Sequence, residues 1–159
     1  MVHLLDNRFR VNAPSTADLV EYLMRRYCEH ITSCLRAAVT QAEAIRCNHT
    51  NGHTISVVIT VMKLLQQQIH YHVGVDWAPT SPVAEPSSQL NEIWTRLKKS
   101  HDDMCRHLAT LRGLTYGYTP TKQTCAECAE LWDLLRLVDD DVAEQISIEV
   151  EVLHVRLFG

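Results

Sequence analysis

Residues 16–47 read TADLVEYLMRRYCEHITSCLRAAVTQAEAIRC. Apolar side chains recur at Val20, Leu23 and Met24, Tyr27, Ile31, Cys34 and Leu35, Ala38, Ala42 and Ile45, the steps of three and four that form one stripe of an α-helix. No Gly or Pro interrupts the stretch, Ser15 or Thr16 supplies an N-cap, and Pro14 keeps helix from starting earlier. At 1.5 Å per residue the helix is about 48 Å long. A stripe of that length needs cover from end to end, by other helices of the chain or by a second copy. The expected fold is therefore a helical bundle.

The rest of the chain divides at its helix breakers. All five Gly and all five Pro fall between periodic segments, where they cost no helix stability. After an Asn-Gly turn, residues 54–73 keep helical spacing at Ile55, Val58, Met62, Leu65, Ile69 and Val73, although the opening ISVVITV is β-branched. A Pro-rich connection follows, long enough for a crossover along the bundle, with Trp77 expected to pin it to the core. Residues 88–112 carry Leu90, Trp94, Leu97, His101, Met104, Leu108 and Leu111, a 3.5-residue repeat that Gly113 ends as a C′ residue. Residues 124–145 open with a capping box, Thr124 to Glu127, and carry Cys128, Leu131, Trp132, Leu135, Val138 and Val142. Ile146, Ile148, Val150 and Val152 then alternate with polar residues, a strand period. The expectation is one domain over 1–159, an all-α four-helix bundle, antiparallel or crossover, with a minor β element in which that strand pairs with residues 2–11 or with a second copy.

Composition narrows the function classes. Of 159 residues, 46% are hydrophobic and 21% charged, which suits one folded domain with an aliphatic core. No basic start precedes a long apolar run, and Ile55 to Leu65 is too short to span a bilayer. A soluble cytoplasmic protein with reduced thiols is expected, with no membrane partner. The net charge of −4 is uneven: residues 114–159 hold nine acidic and three basic side chains. No segment has the basic excess that would neutralise several phosphates, so nucleic acid is not expected as a partner.

Nine His and six Cys are the compositional oddity. Cys125-x-x-Cys128 is half of a zinc site, and Cys47, His49, His53, His101 and Cys105 are the candidates to complete it. The same cysteines also suit small positions on a helix stripe. No two helices carry the Glu-x-x-His of carboxylate-bridged dimetal bundles, and the His-x3-Glu pairs and inward His ladder of hemerythrin-type oxygen carriers are absent. His101 on the seam of its helix reads first as a hydrogen-bonded core histidine, and His70 and His72 as edge residues of a buried face. No phosphate loop, nucleophile elbow, zinc-protease or deaminase motif is found, so an enzyme is not expected. What remains is a non-enzymatic interaction module, an assembly subunit, adaptor or small inhibitor that associates with another protein or with itself as a homodimer. Its expected partner surface is Glu130, Asp133, Asp139, Asp140, Asp141 and Glu144, with no cofactor. The alternative is a zinc-binding helical protein with a structural or sensory Cys/His site.

Overall fold

The structure, a computed structural model, describes residues 15–48, 52–75, 86–122 and 124–158. The side chains at 47, 48, 52, 53, 75 and 86–89 lie outside that description, as do Trp77 and the expected N-terminal arm. The helices are α1 (Thr16–Arg25), α2 (Thr32–Asn48), α3 (Gly52–Val75), α4 (Pro86–Leu114), α5 (Ala126–Ile148) and α6 (His154–Phe158). A π-helical turn, Arg26–Ile31, joins α1 to α2, and a second, Glu149–Leu153, joins α5 to α6. Each trio is one rod, so the described residues form four.

The first rod starts on the expected serine. Ser15 Oγ accepts from the Asp18 amide at 3.1 Å while Asp18 returns a bond to the Ser15 amide at 2.9 Å, a reciprocal capping box. Its buried stripe runs Leu19, Leu23, Tyr27, Ile31, Leu35 in steps of four. In a regular α-helix each such step overshoots by about 40°, so a run of them spirals off the core face. The wider π turn absorbs that drift and keeps Tyr27 and Ile31 inward.

Contacts between rods show that they alternate in direction. Gln41 reaches the Glu127 carbonyl at 3.2 Å, whereas Arg26, earlier in the same rod, reaches Asp141 at 2.9 Å, later in the last. Lys63 pairs with Glu43 at 2.8 Å, and Arg112 with Asp139 at 2.7 Å. Consecutive rods are neighbours and the first packs on the last. This is an antiparallel up-and-down bundle in which the connection between α3 and α4 joins adjacent rods rather than crossing over.

Two expectations about the last rod are corrected. Cys125, not Thr124, is the N-cap of α5, its Sγ accepting from the Cys128 amide at 3.2 Å; Thr124 instead accepts from the Thr121 amide at 2.8 Å. No strand forms among the described residues, because helix continues through the expected strand to Phe158. The inward positions there are Val142, Gln145, Ile148, Glu149 and Leu153. Polar residues occupy the stripe, and the apolar pattern alone therefore shows a period of two. Gly113 also lies inside the last turn of α4, and the chain reverses one turn later, where Tyr116, Gly117 and Tyr118 all have positive φ.

Candidate metal centre

Two apolar clusters fill the bundle. The smaller joins Leu19, Leu23, Ile148 and Leu153 near one end, and the larger runs from Tyr27 on the first rod and from Val142 back along the last. Between them lies a polar layer to which each rod gives one group: Tyr27, His72, His101 and Glu149, all buried. His72 and His101 both present Nε2 to the Glu149 carboxylate, the closest approaches being 3.2 Å and 2.6 Å. The imidazole centroids are 5.1 Å apart, and the Tyr27 ring meets His72 edge-on at 4.9 Å.

The helices aim these groups. His72 follows Ile69 by three on the buried face of α3, and His101 occupies its expected seam position on α4. Glu149 is the first residue of the second π turn, whose closing bond runs from the His154 amide to the Glu149 carbonyl. The first π turn closes in the same way on the carbonyl of Tyr27. Two of the four polar groups thus sit where the helical ladder is widened, a placement that single π turns often have at functional sites. Behind His72, Ser100 Oγ lies 3.1 Å from Nδ1 and accepts from the Gln68 amide at 2.9 Å. That outer bond orients the ring with Nε2 toward the carboxylate, as the supports behind metal-bound histidines do.

Burial by itself raises the pKa of Glu149, but hydrogen bonds and charge from His101 and His72 outweigh it and hold the carboxyl below its ordinary value. Glu149 is a buried carboxylate kept ionised by two imidazoles. Tyr27 is the opposite case, since burial and then the Glu149 charge push its phenol well above the usual range. Its hydroxyl stays protonated; Glu149 acts on it as a hydrogen-bond acceptor, but among the described residues no acceptor lies within full hydrogen-bond distance. An unmatched buried donor is costly, and this one faces the layer that holds the carboxylate.

The donor set fits a metal ion. One ligand atom from each of His72, His101 and Glu149 lies within 4.8 Å of the others, and among the described residues this is the one cluster of three or more such side chains. Metal bonds of about 2.1 Å set neighbouring ligand atoms about 3 Å apart, close to the 3.2 Å between His72 and Glu149. The 2.6 Å contact is a hydrogen bond from His101 Nε2 to Glu149, whose proton a metal displaces on binding. Two imidazoles and one carboxylate form a set used for ferrous iron with open positions and for catalytic zinc.

The residues expected from spacing fare differently. His101 is in the centre, while Cys105, one turn on, is exposed. Cys125 and Cys128 stand at the start of the last rod, far from Glu149, with Cys125 as the N-cap. Burial, with the bond to Cys125, pushes the Cys128 thiol up to about 12, away from the thiolate a metal needs. His49 and the side chains of Cys47 and His53 lie outside the described residues. The signal that escaped the sequence reading was the stripe of the last rod continuing through Gln145 and Glu149.

The acidic set is likewise divided. Asp139 is not a surface residue: it is buried, accepting from Tyr118 Oη at 2.8 Å and Arg112 Nε at 2.7 Å. Asp141 and Glu144 hold Arg26 at 2.9 and 2.5 Å. Asp133 pairs with Arg136 at 3.2 Å and remains exposed, as do Glu130 and Asp140.

No protein-family model matches the chain. It is similar to a curated protein, the iron-sulfur cluster repair protein YtfE of Citrobacter koseri, with 21% identity over 143 residues. The match takes in 88% of this chain and 65% of that protein. No helix among the described residues is long and apolar enough to cross a membrane.

Proposed function

We propose that the chain is a metal-binding helical protein that holds a transition-metal ion, iron in the first instance, through His72, His101 and Glu149. The observation that carries this reading is a fully buried carboxylate shared by two imidazoles in a layer that also contains an unmatched Tyr27 hydroxyl. Among the described residues that hydroxyl has only the already shared Glu149 carboxylate as a near acceptor, and an atom bound at the centre would give it a second one. The likeness to an iron-sulfur cluster repair protein turns the choice between zinc and iron toward iron. When bound, such an ion supplies an electrophilic and redox-active centre with positions left for a small ligand. The chain's part is to keep Glu149 ionised, orient His72 through Ser100, exclude bulk water and place a phenol donor beside the centre.

The test is native mass spectrometry after anaerobic incubation with ferrous iron and removal of excess. The expected result is one iron per chain for the wild type and none for a His101→Ala, Glu149→Gln double variant. An iron-free wild type, or a variant that loads equally, overturns the reading.

A second reading, an interaction module, rests on the outer face of α5. There Glu130, Asp133, Leu137 and Asp140 follow one another in steps of three, four and three, and Leu137 is 59% exposed among the carboxylates. An exposed leucine ringed by carboxylates suits a partner with a basic rim, or a second copy. Reversing those three charges and truncating Leu137 abolishes association if this face docks a protein. Retained association removes it.

A further inference from the structure

A cavity of about 330 Å³ opens between α3 and α4, lined by Gln68, Tyr71, Arg96, Lys99, Ser100 and Asp103. It lies outside the bundle centre but ends on its support. At the floor are the Gln68 amide and the Ser100 hydroxyl, and Ser100 is itself buried. The Tyr71 ring, 48% exposed, forms a wall. At the mouth stand Arg96 and Lys99, three residues apart on one side of α4. Arg96 pairs with Glu92 and keeps 46% of its side-chain surface in solvent. Asp103 is held by Arg106 at 2.8 Å, so that with both ion pairs counted the mouth keeps one positive charge, that of Lys99.

The geometry points to a binding site for a small organic anion, its carboxylate or phosphate held by Arg96 and Lys99 and its body laid against Tyr71. The volume is that of a small-molecule pocket rather than of a single ion. The cations give charge-assisted bonds and the ring gives apolar contact. The floor gives the site a consequence, because Ser100 Oγ stands 3.1 Å from His72 Nδ1. A ligand that hydrogen-bonds Ser100 or Gln68 alters the outer bond that orients His72. Occupancy of the cavity is thereby coupled to the centre of the bundle.

The experiment uses the full metal-free chain, so its outcome is independent of the metal reading. Benzoate and inorganic phosphate are titrated separately at constant ionic strength, with chloride as control, while the imidazole nitrogen resonances of His72 are followed by NMR. Saturable binding of benzoate or phosphate that moves the His72 signals, weakened at least about tenfold in an Arg96→Gln, Lys99→Gln double variant, supports the site. Both substituted side chains are exposed, so the variant folds, as helical circular dichroism checks. Absence of saturation by both probes, or equal binding in wild type and variant, overturns it.

Discussion

Glu149 carries a full charge out of water, and its two imidazole partners make that tolerable. The sign of its linkage to pH follows from its lowered folded pKa. Its contribution is complete above the unfolded value of about 4.3 and disappears as pH falls through the lower folded value. Urea denaturation should find Glu149→Gln less stable than wild type by about 2 kcal/mol at pH 7, since the amide leaves two imidazoles poorly matched. The gap should close as the solution is acidified below the folded pKa; a gap unchanged at pH 3 contradicts the ionised carboxylate. Tyr27 gives a test of opposite sign. Its buried hydroxyl has no acceptor within full hydrogen-bond distance among the described residues, so Tyr27→Phe should stabilise the metal-free chain by about 1 kcal/mol. Destabilisation of that size means that the hydroxyl is already satisfied.

At the scale of elements, the π turns and the last rod separate what the sequence reveals from what it hides. The long first helix, its serine cap and the rods at 54–73 and 88–112 are legible because the core face there is apolar almost without exception. The last rod is obscured by its own chemistry: Gln145 and Glu149 stand at inward positions beside Ile148, while Ile146, Val150 and Val152 lie off the core stripe, so that the apolar residues alone alternate and mimic a strand. His101 is legible as a seam residue and His72 as a buried-face edge, but their meeting with Glu149 depends on packing of separate rods. Val150 and Val155, 43% and 57% exposed, test helix against strand directly. On a helix, changing either to Ala should raise stability by a few tenths of a kcal/mol; in a strand it should lower it. Asp139 closes the turn between α4 and α5 through Arg112 and Tyr118. Asp139→Ala strands the buried Tyr118 hydroxyl while Arg112 stays half in solvent, and should cost about 2 kcal/mol in denaturant, where a merely solvated carboxylate costs almost nothing.

For the whole molecule, the up-and-down bundle brings one polar side chain from each of four rods into a single layer, which no local motif displays. An apolar layer would serve stability better, since buried charge networks are weak contributors to it. This layer of His, His, Glu and Tyr is the observation on which the proposed metal site rests. Anomalous diffraction from crystals of the iron-loaded chain, collected at the iron absorption edge, tests this most directly. The expected result is a single peak bounded by His72 Nε2, His101 Nε2 and the Glu149 carboxylate, on the side that Tyr27 faces. A peak at Cys125 and Cys128, or none at the bundle centre, contradicts it.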